Sequence, residues 1–175
     1  MHKVFLVLFL TTILFSCRNL REDITTFSIQ ESSTFEIEPV TGVDVPIVIT
    51  SIPVETSASE SFEQEGVTRD NIEEIRLMSM SLIMLDPPEH TFNFVKSLEL
   101  TIVADGLPER KLAYHHDVPR DVTDFDLEIT GENLDEYLKK DKFYLNVSTT
   151  SRVMFDEKLQ IKADMIFNVR AKIFN

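Results

Sequence analysis

The amino-acid sequence predicts an all-β protein, an antiparallel β-sandwich of roughly seven to nine strands with one or two short helical turns. The first observation is the final segment, in which apolar residues occupy every second position from Leu159 to Ile173. A period of two is typical of a strand with one buried face and excludes a helix. The second observation is that shorter alternating runs recur between turn-forming residues. Without a Cys…Trp…Cys pattern, the sandwich is immunoglobulin-like in class only.

Composition and charge exclude several classes of function. The chain has 175 residues, 43% of them hydrophobic, which is typical of one globular domain. It carries 30 acidic and 17 basic residues, a formal net charge of −13. Because an acidic excess of this size repels phosphate backbones, we expect no nucleic-acid partner. A single cysteine excludes an internal disulfide, so the core has to stabilise the domain by itself.

The first third of the predicted domain consists of strands followed by a polar segment. Apolar residues at alternate positions predict strand structure at 27–37 and again at 43–49. Pro46 places the second strand at a sheet edge or at a bulge, because proline cannot donate to a ladder. The segment Thr56–Gly66 is rich in serine and glutamate, and we expect a mobile acidic loop there. An N-cap pattern at 70–73 predicts a short helical turn.

The most apolar segment of the predicted domain runs from Ile75 to Leu85. One face of a regular strand would carry Met78, Met80, Leu82 and Met84, and the other Ile75, Leu77, Ile83 and Leu85. We therefore expect both faces of this strand to be covered. The methionine row is either plain core or the lining of an adaptable apolar pocket, since methionine repacks easily. Two prolines after Asp86 end the strand.

The second half of the chain continues as strands joined by turns. A hairpin is predicted at 98–115, with the Asp-Gly pair at 105–106 in its turn. A short alternating strand follows at 125–129 and another at 143–147. Between them, the segment 133–140 begins with an N-cap candidate and acids and ends with lysines, which favours one or two helical turns.

The N-terminal segment has the organisation of a secretory signal. Met1–Lys3 is a short positive start, residues 4–15 form an apolar run, and Ser16 precedes Cys17. The apolar run is too short to span a bilayer, which needs about 20 residues. We expect residues 1–16 to be a signal peptide.

The end of that segment, Leu14-Phe15-Ser16-Cys17, resembles the lipobox of bacterial lipoproteins. The resemblance implies that Cys17 carries a diacylglyceryl group on its sulfur, that signal peptidase II cuts just before it, and that the new amino group is acylated. It further implies a bacterial cell-envelope protein, anchored by lipid to the membrane, most naturally the outer membrane. The expected organisation is then a signal peptide at 1–16, a lipidated tether at 17–26 and a single β-sandwich domain at 27–175.

Histidine and aspartate residues form the one cluster with metal-ligand character in the sequence. The candidates are His90, His115, Asp117, Asp121 and Asp124. Neighbouring residues in a strand point to opposite faces, and the spacing matches no recurrent zinc signature. The loop also lacks the glycine and the bidentate glutamate of an EF-hand. We expect no metal and no cofactor apart from the covalent lipid, with a weak calcium site as the alternative.

No motif in the sequence identifies a reaction. It has no Gly-x-Ser-x-Gly elbow and no phosphate-binding glycine loop, and lipid would block Cys17 as a nucleophile. We therefore expect a non-catalytic binding module that contacts an envelope protein or an extracellular ligand. Its candidate contact surfaces are the acidic segments Thr56–Gly66 and Asp117–Asp126, which favour basic or cation-bridged partners. The equal alternative is that these acids only keep the domain soluble. The alternatives are a carrier that holds a hydrophobic ligand between the sheets and an enzyme.

Overall fold

The computed structural model describes residues 22–174 and confirms the predicted β-sandwich. The strands are β1 (Glu22–Ile37), β2 (Pro46–Glu55), β3 (Ile72–Asp86), β4 (Val95–Val103), β5 (Arg110–His115), β6 (Asp124–Asp126), β7 (Glu128–Ile129), β8 (Lys142–Ser151) and β9 (Leu159–Phe174). Two short helices, α1 (Ala58–Gln64) and α2 (Asp135–Leu138), and 3-10 turns at Arg69–Asn71 and Phe92–Phe94 complete the described part.

The strands form two antiparallel sheets. One has the order β1-β9-β3-β6 and the other β2-β8-β4-β5-β7. The long strand β9 pairs with β1 along its whole length and with β3 on its other side. Its odd-numbered residues from Leu159 to Ala171 are buried between the sheets, as the alternation predicts. Pro46 begins the edge strand β2, in agreement with its predicted place.

Strand β1 corrects the predicted boundary between tether and domain. It begins at Glu22, and residues 22–26 pair with 170–174 of β9. Those residues therefore belong to the sheet and not to the tether expected at 17–26. The lipidation at Cys17 and the signal peptide lie outside the described residues.

A β-bulge in β3 overturns the expectation that both faces of this strand are covered. The pairing with β9 shifts between Leu77 and Ser79, which turns Met78 outward with 58% of its surface exposed. After the bulge, the even-numbered positions face inward, so Leu77 and Met80 are both buried in the same core. The predicted row of three methionines on one face is therefore wrong, and a pocket lined by all three does not form.

The predicted strand at 125–129 crosses from one sheet to the other. Residues 124–126 pair with β3 as β6, whereas residues 128–129 pair with β5 as β7. Between them, the backbone N–H of Leu127 donates to the carbonyl of Met80 at 2.8 Å. This crossing closes one side of the sandwich.

The structure also corrects the prediction for Thr56–Gly66, which contains the helix α1 and is not a mobile loop. Phe62 of α1 is buried and packs its ring edge-on to Phe27 of β1, with 6.2 Å between centroids. The buried carboxylate of Glu31 in β1 accepts hydrogen bonds from the Thr56 hydroxyl and from the backbone N–H and hydroxyl of Ser57. Glu31 thus ties the first sheet to the helix that follows β2.

Replacing Glu31 by alanine is expected to destabilise the domain by about 2 kcal/mol, because three donors lose a charged acceptor in a buried place. The matched control is Glu36→Ala, on the exposed face of the same strand, where the carboxylate forms an ion pair with Lys158 at 3.0 Å. An exposed pair contributes less than about 1 kcal/mol. Urea unfolding measures both variants. Equal losses would contradict the structural role of Glu31.

Candidate functional site

Four loops meet at one end of the sandwich, which we call the distal end. They are residues 38–45, 87–94, 116–123 and 152–158. The register places them together, since the end of β1 pairs with the start of β9, and the start of β4 pairs with the end of β8. β1 begins at the opposite, proximal end, and its 16 residues span on the order of 50 Å.

Backbone pairing fixes the loop 38–45 against the loop 152–158. Val40 and Phe155 exchange two backbone hydrogen bonds of 3.0 and 3.1 Å. The fully buried hydroxyl of Ser151 accepts from the N–H of Val45 and donates to the carbonyl of Gly42. Gly42 has φ +140°, and a Cβ there would lie 2.9 Å from a methyl group of Val45. The loop between β1 and β2 is therefore held in one shape.

Arg152 fixes the other side of the loop 152–158. Its backbone N–H donates to the carbonyl of Phe94, and its guanidinium donates to Asp117 and to the carbonyl of Val118. The Arg152 side chain is only 12% exposed. One of its terminal nitrogens, Nη1, is buried without a hydrogen-bond partner. Arg152 therefore joins three of the four distal loops.

Two apolar residues project from the loop between these fixed points. Val153 is 42% exposed and Met154 is 67% exposed, although Arg152 before them and Phe155 after them are both anchored. Val43, on the loop 38–45, is 59% exposed. We call Val43, Val153 and Met154 the apolar tip. Because its flanks are held, little conformational entropy is left to lose when a partner covers the Val153–Met154 pair.

Two solvent-open depressions share Met154 as a wall. One, of about 380 Å³, is lined by Glu89, His90, Thr91, Asn93, Phe94, Val153, Met154, Phe155 and Asp156. The other, of about 250 Å³, is lined by Val40, Thr41, Met154, Phe155 and Asp156. Phe155 borders both depressions and Phe94 borders only the larger one. Their rings are buried and tilted by 58° to each other, with 4.9 Å between centroids. The surface around Met154 therefore combines exposed aliphatic side chains with carboxylates.

Most cations near the apolar tip are already engaged with carboxylates. Lys96 pairs with Asp44 at 2.6 Å. Lys158 pairs with Glu38 and Glu36, and the hydrogen bonds that its ammonium donates to these carboxylates raise its pKa above the ordinary value. His90 lies 3.6 Å from Glu157. Lys96 and Lys158 therefore present no free positive charge beside the tip.

Two carboxylates of the larger depression remain uncompensated. Glu89 and Asp156 are exposed and form no ion pair with any residue between 22 and 174. Arg120 lies in the loop 116–123, which lines neither depression. Negative charge therefore borders the exposed apolar surface of the tip.

The structure does not bring the predicted metal-ligand candidates to one point. His115 packs edge-on to Phe125 with its Nδ1 buried and unpartnered, whereas His116 lies against the ring of Tyr114. The carboxylates do not converge on these histidines. Asp117 pairs with Arg152, Asp121 is exposed with φ +56°, and Asp124 belongs to β6. Within residues 22–174, no group of three or more His, Cys, Asp or Glu side chains is placed to hold a metal ion.

The two acidic segments predicted as contact surfaces lie at opposite ends of the sandwich. Thr56–Gly66 follows β2 at the proximal end, and Asp117–Asp126 begins at the distal end. They cannot form one contact surface. The apolar tip was not predicted. The available signal was the pair Val153–Met154, which is apolar in a segment without strand alternation.

Another polar depression, of about 390 Å³, crosses the outer face of the first sheet. It is lined by Gln30, Glu31, Ser32, Ser79, Ser81, Lys162, Asp164, Met165 and Ile166. Lys162 and Asp164 pair with each other at 2.8 Å, so neither presents a free charge. Among the described residues, no helix is long and apolar enough to cross a bilayer.

Comparison with known proteins gives no family for this chain. No family model matches it, and no curated protein matches it in sequence. Among solved structures, the crystal structure of a decameric BFDV capsid protein is 12% identical in sequence, with a TM-score of 0.42. The likeness covers 85% of this chain and 99% of the capsid chain.

Proposed function

We propose that this protein is an envelope-anchored lipoprotein whose β-sandwich is a non-catalytic binding module. In this proposal, Cys17 carries the lipid, the protein is held on the outer membrane, and the distal end contacts an envelope protein or an extracellular ligand. The observation that carries the proposal is the separation of the two ends. β1 begins at the proximal end, and the apolar tip lies about 50 Å away at the other.

The geometry of β1 supports this arrangement physically. A lipid on Cys17 is separated from the first residue of β1 by only a few residues, so the anchor holds the proximal end next to the bilayer. Two or three acyl chains, with about 0.8 kcal/mol for each buried CH₂, hold such a domain on the membrane stably. The distal loops then face away from that membrane, where a partner has access to them.

The fixed loops of the distal end support binding over catalysis. Exposed apolar side chains on a rigid loop are typical of a contact surface, because the partner gains buried area without having to order the loop. The depressions beside Met154 are open to solvent, and no group of three His, Cys, Asp or Glu side chains among the described residues is placed to hold a metal ion there. The carrier alternative loses its predicted lining, since Met78 points to solvent.

A photo-crosslinking amino acid placed in the full chain tests the proposal in the cells that make this protein. At position 154 we expect a crosslinked adduct with a partner that is resolved on a gel and identified by mass spectrometry. The matched control is position 136, an exposed residue of α2 at the proximal end. Adducts at 136 but not at 154, or none at either, would contradict binding through the distal end.

A further inference from the structure

The apolar tip and its bordering carboxylates specify the chemistry of a partner. The inference rests on the proposed function, because it concerns the same distal end. Nothing in the fold requires Met154 to be apolar, since most of its surface is exposed. Its place on a loop fixed at Arg152 and Phe155 makes it a preformed contact.

Charge decides between the partners that could cover this surface. An anionic bilayer and a nucleic acid are both repelled by Glu89 and Asp156, which no neighbouring cation neutralises. A second copy that used the same surface would bring two sets of these carboxylates together, which is also unfavourable. A cationic partner gains attraction from the same two groups.

The shape of the surface favours an extended segment with a large apolar side chain. The depression of about 380 Å³ has the aromatic rings of Phe94 and Phe155 at its base and Glu89 and Asp156 on its rim. Because both rings are already buried, an aliphatic or aromatic side chain placed there gains its apolar contact from the exposed Val153 and Met154. A lysine or arginine next to that side chain reaches the rim carboxylates.

We propose that the distal end binds an extended peptide segment of a partner protein in which lysine or arginine flanks a large apolar residue. The apolar residue lies against Met154 in the depression over Phe94 and Phe155, and the cations pair with Glu89 and Asp156. Val153, which lines the same depression, extends the apolar contact. Because the rim is solvent-exposed, the electrostatic part of the binding weakens as salt is raised.

The experiment uses the full lipidated chain in detergent micelles and fluorescence anisotropy with three labelled nine-residue peptides. The first alternates lysine and leucine, the second replaces leucine by serine, and the third replaces lysine by glutamate. We expect the first peptide to bind at least tenfold more tightly than either of the others, and to lose at least threefold in affinity between 50 and 300 mM salt.

Two double variants distinguish the effect of the rim carboxylates on binding from the effect of the net charge of the protein. Glu89→Lys with Asp156→Lys is expected to weaken the first peptide at least tenfold. Glu63→Lys with Glu65→Lys, at the exposed C-terminal end of α1, changes the net charge equally and is expected to leave binding within twofold. Met154→Ser is expected to cost at least fivefold, with thermal melting as the check that the exposed substitution leaves the fold intact.

Several outcomes would overturn the inference. Equal effects of the two charge-reversal pairs would show that binding follows net charge and not the distal end. Tight binding of the acidic peptide, or concentration-dependent self-association lost in Met154→Ser, would each assign the surface to another partner. If crosslinking at 154 succeeds while all three peptides fail, the partner chemistry is wrong and the proposed function stands.

Discussion

Phe167→Asp is expected to abolish cooperative folding of the domain. Phe167 is fully buried in β9, the strand that pairs with both β1 and β3. Its ring meets Phe143 of the opposite sheet edge-on, with 6.2 Å between centroids. The substitution therefore removes a contact between the two sheets and places a carboxylate where no cation is available.

The expected loss exceeds what a domain of this size can tolerate. Removing a buried phenylalanine side chain costs about 3–5 kcal/mol, and burying an unpaired charge adds several more. Total stabilities of such domains are about 5–15 kcal/mol. Circular dichroism and thermal melting measure the outcome, and we expect the variant to lack a cooperative transition at any temperature.

The control is Asn168→Asp, one residue further along the same strand. Asn168 lies on the outer face, where its register partners are Ser28 and Arg76. The same new carboxylate is solvated there, so we expect a change of less than about 1 kcal/mol. Similar melting curves for the two variants would mean that the face assignment of β9 is wrong.

The sequence predicts the strands well where one face is buried and the other is exposed to solvent. The alternation in β9 and the Asp-Gly turn between β4 and β5 are both confirmed, because each is a local pattern with a single physical reading. The short helix α2 is likewise confirmed near its predicted place, with Lys139 paired to Asp135 one turn away.

The failures share a cause, which is that a distant part of the chain decides the local structure. Nothing in the segment 75–85 indicates the bulge at Met78, since apolar residues stand at both odd and even positions of that segment. The helix α1 forms on a polar segment because Glu31, far away in the sequence, accepts hydrogen bonds at its N-terminus. Residues 22–26 look like a polar tether but pair with the end of β9.

The candidate site could not be predicted as a unit, because four loops distant in sequence build it. The sequence shows the pair Val153–Met154 but not that Arg152 and Phe155 are anchored to residues more than 30 positions away. The sequence likewise gives no sign that the buried hydroxyl of Ser151 holds the loop 38–45 through two hydrogen bonds. Acidic segments were the more conspicuous pattern, yet Thr56–Gly66 is at the wrong end for the distal surface.

Cys17→Ala is expected to eliminate lipid attachment completely. The thiol is the atom that the proposed diacylglyceryl transfer modifies, and alanine offers no substitute for it. Without the lipid, signal peptidase II has no substrate, so we expect the precursor to accumulate with residues 1–16 still attached. Labelled palmitate, gel mobility and fractionation of the envelope measure the label, the processing and the location of the protein.

The control for this prediction is Ser16→Ala, which keeps a small residue before the cysteine and should preserve both label and processing. Loss of the acyl chains removes about 0.8 kcal/mol for each CH₂ that was buried, so no processed chain should remain with the membrane. The domain begins with β1 at Glu22, after Cys17, so we expect both variants to melt alike. If the cysteine variant keeps the palmitate label, or is processed and fractionates as the natural chain does, Cys17 is not the anchor and the distal end loses its assigned orientation.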